Sequence, residues 1–450
     1  MQSKEPSEID PSIILLTNLD VWMLTGDVNR AGIGNQSLYN TLLGYAQHGY
    51  SVHMLTTSFA LKDMTQIHPR VYIYRHQLQS YEALNRLRRM VGAIPGISAN
   101  GNNCKESRIT PVKSLKPQSL GMRVYARVFS WEMVQTARHL IQQKGLQPAF
   151  IYGHEIIGVH AASRLARQTG LPLITRFQGT ELSQFLDRPD RVFSYTVHTG
   201  ALRAPADLVI MANDGTQGDK ILDLLGVEKE RYRFYMNGVQ RDIVYRPNVD
   251  RAKIRQALGI HDGQGFLLYT GRFFYWKRID RHLHVLRRVR DAGIEFKAVF
   301  IGDGPERRSS QELAKSLDLN SCVLFLDPRP HTEVMDYMNA CDIYISFQDL
   351  TNLGNPAIEA CICGKCIVTT AVGGTTDLLS HNVNALVIED KDDLEAIAAA
   401  LEHVIRNPEE RMRLAKGARE RGKELKSWTE RMDMEIEEVE AVLARKKASG

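Results

Sequence analysis

The feature that most constrains this chain is an alternation that runs twice: short apolar runs separated by stretches of helical spacing. Ser12-Ile-Ile-Leu-Leu-Thr17 reads as a strand covered on both faces. Ser37 to Ala46 has helical spacing with Gly49 as its stop, and Ser51-Val-His-Met-Leu-Thr56 is the next strand. From about residue 80 to 120 the rhythm breaks, with Ala93-Ile-Pro-Gly-Ile and Pro111 to Pro117 as a loose excursion. It resumes at Phe150–Glu155, Leu173–Thr175 and Leu208–Met211. A second series follows with Phe266–Gly271, Phe296–Gly302, Val323–Leu326, Ile343–Ser346 and Cys366–Thr370. Such βαβ repetition predicts an α/β chain of two Rossmann-like, doubly wound parallel-sheet domains facing across a cleft. The expected division is 1–245 and 246–427, with Asn237-Gly238 to Tyr245-Arg-Pro247 as linker. A charged helical stretch from Glu409 breaks at Ser427-Trp428, and a last helix over 428–447 returns to close the first domain.

Composition excludes several other classes. With 43% hydrophobic and 24% charged residues, the chain is neither disordered nor fibrous. Six cysteines in 450 residues are too few for a disulfide scaffold. The polar, acidic start is unlike a signal peptide, and no run approaches the ~18 apolar residues of a membrane span. A reducing cytoplasm is the expected compartment. Charge is uneven: Arg70 to Arg127 holds eleven Lys or Arg against Glu82 and Glu106, so the rest of the chain is net acidic although the whole carries +5. That local basic face points to an anionic partner. Nucleic acid is disfavoured, because no aromatic residues interleave with the cations of Asn85-Arg-Leu-Arg-Arg-Met-Val91 as a stacking platform would require.

Three patterns carry the chemistry. Gly271-Arg272 followed by Lys277 places two cations beyond the carboxyl end of a strand, where ligands of open parallel sheets sit. A planar guanidinium and a point-charge ammonium together suit a diphosphate, although a solvated basic loop has the same spacing. Gly302-Asp-Gly304-Pro305 allows either close backbone approach to a ligand or a simple turn. It does not complete a dinucleotide fingerprint, since Arg307 stands at the third glycine position. Finally, Asn352-Leu353-Gly354-Asn355 opens a helix that carries Glu359 in its early turns, a setting for an anion at the helix start and a carboxylate on sugar hydroxyls.

In their order and spacing, these patterns resemble the family 4 glycosyltransferases, retaining enzymes of the GT-B architecture. The resemblance implies transfer of a sugar from a nucleotide-diphosphate donor, UDP- or GDP-linked, to a hydroxyl acceptor in glycolipid, polysaccharide or glycoconjugate synthesis. It implies that Arg272 and Lys277 bind the diphosphate, and that Glu359, the second acid of a Glu-x7-Glu motif, holds the ribose. Asp327 to His331, Arg329 among them, fall where the family contacts the base. Gly32-Ile-Gly34-Asn35 matches the glycine loop that approaches donor phosphate and acceptor. His154, in Tyr152-Gly-His154-Glu155, resembles the family's acceptor-side histidine, although a histidine there equally serves as a structural residue.

Two departures stand out. Thr351 occupies the place of the motif's first acid, which in the family binds the donor sugar. Asp349 or the Asn352–Gly354 backbone is its possible substitute. Gln178 stands where related enzymes show His. No cofactor or metal is expected: Asp390-Lys-Asp392 reads as solvated helix capping, and Cys361, Cys363 and Cys366 as small apolar residues in an apolar run. The basic stretch within 85–127 is either a solubilising face or a peripheral contact with an anionic, inner-face membrane. A nucleotide-sugar epimerase of the same shape and a nucleotide-sugar-binding protein without turnover are the competing readings.

Overall fold

The computed structural model describes residues 11–18, 36–56, 64–75 and 120–449. The glycine loop Gly32–Asn35 and most of the basic stretch lie outside the described residues.

Two sheets organise the molecule. The first holds β1 (Ser12–Leu16), β2 (Ser51–Thr56), β3 (Met64–His68), β4 (Val71–Arg75), β5 (Pro148–His154), β6 (Leu173–Phe177), β7 (Leu208–Ala212) and β8 (Tyr232–Tyr235), in the order β3-β4-β2-β1-β5-β6-β7-β8. All neighbours are parallel except β3 on β4. The second holds β9 (Gly265–Thr270), β10 (Phe296–Ile301), β11 (Val323–Leu326), β12 (Ile343–Ser346), β13 (Cys366–Thr370) and β14 (Leu386–Ile388), in the parallel order β11-β10-β9-β12-β13-β14.

Parallel strands sandwiched by helices bury both faces, which is why β1, β7, β9 and β13 read as unbroken apolar runs. Each sheet reverses its winding once, between β1 and β5 and between β9 and β12. At such reversals the helices diverge and leave a crevice beyond the strands' carboxyl ends.

The chain passes between the sheets near Gly238–Gln240 and again at Ser427, where Val239 and Ser427 form an isolated bridge. Gly238 is required at that passage, since a Cβ there would stand 2.5 Å from Trp428 Cα. The last helix, Trp428–Ser449, starts with a reciprocal cap: Ser427 N–H donates to Glu430 Oε2 (2.6 Å) and Glu430 N–H to Ser427 Oγ (3.2 Å). Its Met432, Ile436, Val439 and Val442 share a core with Leu38, Leu42 and Tyr45 of the Gln36–Gln47 helix, so the chain's end completes the first domain.

Candidate functional site

The two winding reversals bring pairs of polar side chains together. At the first, His154 ends β5 and its Nδ1 lies 3.4 Å from Thr17 Oγ1 beyond β1. The imidazole is fully buried, and burial and the Arg176 charge push its pKa down to about 3, so it is neutral. Its Nε2 has no hydrogen-bond partner among the described residues. The next residue, Glu155, has a left-handed backbone (φ +61) that turns its carboxylate back to accept the Gln178 N–H at 2.8 Å. Burial, then repulsion from Asp214, pushes its pKa up to about 7 against the opposing Gln178 bond and Arg176 charge. Gln178 joins Ser37 (2.6 Å) and Asn237 (3.2 Å) in a network that Arg176 extends to Glu435.

At the second reversal, Lys277 follows β9 and its Nζ donates to Gln348 Oε1 (2.6 Å) beyond β12, with the Trp276 ring 3.8 Å away. Burial pushes the ammonium down to about 7 against the pull of Asp214. Arg272 has a different setting: it is exposed and lies over the Phe274 ring at 4.7 Å. The two cations expected to act together thus differ: Lys277 is half-buried and bonded to Gln348, and Arg272 is exposed over an aromatic ring.

Gly302 and Gly304 serve loop-on-loop packing. A Cβ on Gly302 (φ +145) would stand 1.9 Å from Gly271 O, and one on Gly304 (φ +155) 2.5 Å from Phe273 O. The two loops are further tied by Phe273 N–H to Asp303 O at 2.9 Å. Close backbone approach is therefore required here by the neighbouring loop. Arg307, at the third glycine position, donates to Leu326 O (2.9 Å) and pairs with Asp327 (2.9 Å).

The acid-bearing helix, Asn355–Ile362, starts from Gly354 with Asn355 exposed. Glu359 is buried and its Oε1 lies 2.8 Å from His331 Nε2. Burial works against the charge of His331, but Glu359 outweighs it and holds the pKa above its ordinary value. Both line a cleft together with Gly238, Gln240 and Trp428. Arg329 is exposed, 3.7 Å from Glu333.

Three expected donor contacts have other work. Asn352 spends its side chain on Ser346, Gln348 N–H and Thr370, which fixes the loop's shape. Leu353 is fully buried. Thr351 Oγ1 donates to Asp214 O (3.2 Å) and accepts the Leu353 N–H (2.9 Å). Asp349 cannot substitute for the missing acid, because Arg281 (2.7 Å) and Arg278 (3.2 Å) hold its carboxylate.

Nor do Asp390 and Asp392 cap the following helix. Asp393 does so, accepting the Ala396 N–H, while Asp392 pairs with buried Arg281 at 2.6 Å. Cys361, Cys363 and Cys366 are buried thiols, with Cys361 and Cys366 pushed up to about 12 by burial. Among the described residues no helix is long and apolar enough to cross a membrane.

Sequence reading missed Asp214 and Gln348 as site residues, and carried Glu155 and His331 only as the ends of longer motifs. Gln348 and Asp214 each follow a predicted strand, so the strand-end rule that singled out Lys277 would have found them too.

The family profile described as Glycosyl transferases group 1 matches residues 250–421. A D-inositol 3-phosphate glycosyltransferase of Frankia alni is 25% identical over 307 residues, 64% of this chain and 74% of that relative. The sucrose-phosphate synthase of Thermosynechococcus elongatus is similar in structure, with a TM-score of 0.73 over 97% of this chain and 100% of its own at 17% identity. Anabaena HepE in complex with UDP-glucose has a TM-score of 0.64 over 95% and 99%, also at 17% identity. At those identities the solved structures bear on the fold alone.

Proposed function

Because this chain is a GT-B glycosyltransferase of the family 4 kind, we propose that it takes its sugar from a nucleoside diphosphate donor and retains the anomeric configuration. The observation that carries the donor assignment is Lys277 at the β9/β12 reversal, held by Gln348 and poised near neutrality by burial. An arriving diphosphate supplies the negative charge that favours the ammonium form. As the glycosyl–oxygen bond breaks, charge grows on the departing diphosphate, and a preorganised cation stabilises that state more than the bound donor. Arg272, exposed over the Phe274 ring, is the second cation able to swing onto the phosphates. Glu359 with His331 takes the ribose diol in the cleft beside Trp428. His154, neutral and with Nε2 unpartnered, offers one hydrogen bond to a sugar or acceptor hydroxyl.

The reaction proposed needs no divalent ion, since Lys277 supplies the positive charge and Asp392 is tied to Arg281 and Lys391. Retention is supported by the family resemblance. The relatives reported are a transferase and a synthase, which favours transfer over the epimerase and the turnover-free binding readings. A peripheral membrane contact is the second part of the proposal. It is supported by the outer face of the Leu120–Lys144 helix, where Arg123 and Arg127 are exposed beside Val124 and Trp131.

Hydrolysis and transfer assays against UDP-, GDP-, ADP- and TDP-sugars test the donor reading. The expected result is turnover of one donor, unaffected by EDTA and lowered ~10²-fold or more by Lys277→Gln. Wild-type rates in that variant defeat the role of Lys277, and an isomerised donor would restore the epimerase.

A further inference from the structure

The carboxylate of Asp214 has no part in the roles assigned above. It lies just past β7, on the first domain's side of the cleft. Its Oδ1 accepts two hydrogen bonds from Thr216, from N–H at 3.0 Å and from the hydroxyl at 2.6 Å, while Oδ2 accepts none from another of the described residues. Gly179 (φ +95) passes so close that a Cβ there would stand 2.3 Å from either carboxyl oxygen. The bare glycine is what lets the carboxylate occupy this place.

The backbone around Asp214 is clamped to the opposite domain. Thr351 Oγ1 donates to Asp214 O, Gly374 N–H donates to Gly215 O at 2.7 Å, and Asn213 Nδ2 donates to Asp377 Oδ2 at 2.9 Å. Gly215 (φ +80) sits where a Cβ would fall 2.0 Å from Thr351 Oγ1. The segment Asn213–Gly215 is thus tied by three hydrogen bonds to the domain that carries Lys277, with Asp214 near enough to that lysine for each charge to act on the other.

The second domain offers no comparable acid beside that lysine. Position 351 is a threonine committed to backbone, and Asp349 is neutralised by two arginines. A half-buried carboxylate with one uncommitted oxygen, next to a cation suited to phosphate, is the group best placed to meet the hydroxyls of whatever that phosphate carries.

We propose that Asp214 is the residue of this chain that recognises the donor's sugar, accepting hydrogen bonds from its hydroxyls through Oδ2, so that the acid reading the sugar comes from the first domain. This rests on the donor reading above. The ligand class is a hydroxyl-bearing pyranosyl group on a nucleoside diphosphate. A deoxygenated analogue leaves the carboxylate unpaired and is rejected.

The test is calorimetric titration of the full chain with UDP-, GDP-, ADP- and TDP-hexoses and with each free diphosphate. Wild type is compared with Asp214→Asn, which keeps an acceptor for Thr216, and with Gly179→Ala, which displaces the carboxylate without changing it. The expected result is a loss of sugar-nucleotide affinity of about ten- to hundredfold, with affinity for the free diphosphate held within about threefold. Equal weakening of both ligand classes, or no change in either, in a variant whose melting transition is intact would overturn the proposal. Gly179→Ala keeps the question open to refutation if Asp214→Asn fails to fold. Wild-type indifference to every nucleotide in the panel would bring down the donor reading itself, and this inference with it.

Discussion

His282 shows how firmly single protonation states are set in this molecule. It is fully buried, its Nδ1–H donates to Arg278 O at 2.8 Å, and its Nε2 accepts the Phe347 N–H at 3.0 Å. Only the neutral ring serves both partners; a second proton would set two N–H groups against each other. Burial pushes its pKa down to about 3. A base depressed on folding stabilises the fold above its unfolded pKa near 6.5 and loses that contribution as pH falls toward 3, at up to about 1.4 kcal/mol per pH unit. Denaturant unfolding of wild type should therefore weaken steadily from pH 6.5 to 4. In His282→Asn, stability at pH 7 should fall while the slope flattens by about one proton's worth. An unchanged slope refutes the assignment. At this scale the sequence was legible where chemistry follows one strand end, as with Lys277. It was silent on Glu359's partner, because His331 lies 28 residues away and only the fold joins them. It left Asp349 and the Asn352–Gly354 backbone as alternatives, because the partners of Asp349, Arg278 and Arg281, arrive from another strand's exit.

Among the elements, the Leu120–Lys144 helix carries the clearest external signal. Arg123, Arg127 and Trp131 recur every fourth residue and share one outer stripe, with Val124 beside them. A stripe of guanidiniums with an indole suits an anionic lipid surface, where cations meet headgroups and the ring sits at the boundary. Co-sedimentation with vesicles containing phosphatidylserine is expected at low salt, weakening as ionic strength rises and lost in Arg123→Glu/Arg127→Glu. Failure to co-sediment at low salt removes the membrane proposal. Legibility of elements followed coverage. β12 and β13 match their expected ends because they are buried throughout, and β11, an edge strand buried only at its first residue, matches because Val-Leu-Phe-Leu is apolar throughout. β8, Tyr-Arg-Phe-Tyr, is an edge strand only half-buried along its length, and β14 has three residues, so neither prints a run long enough to read. The Ser427/Glu430 cap was readable as Ser-x-x-Glu before an apolar-periodic stretch.

For the whole molecule, the cluster that fastens the last helix to the first domain sets two buried guanidiniums, Arg176 and Arg431, against the single carboxylate of Glu435 at 2.7 and 3.2 Å. Tyr45 and Tyr152 donate to the same carboxylate, and Arg431 lies over the Tyr235 ring. Glu435→Gln keeps the volume but leaves two buried cations without a counter-charge, an expected loss of about 3–5 kcal/mol in denaturant unfolding. Glu438→Gln, which breaks the half-buried pair with Arg233, should cost about 1 kcal/mol or less. Equal effects would show that buried charge is not what holds the helix. The two-sheet plan and the returning helix were legible from alternation and length. The ion cluster beneath that helix was not, since its members lie 259 residues apart. One consequence concerns biosynthesis. The Trp428–Ser449 helix fills a face of the first sheet, yet leaves the ribosome after the entire second lobe. The lobe translated first must therefore wait, with Leu38, Leu42 and Tyr45 uncovered, for the final segment to emerge.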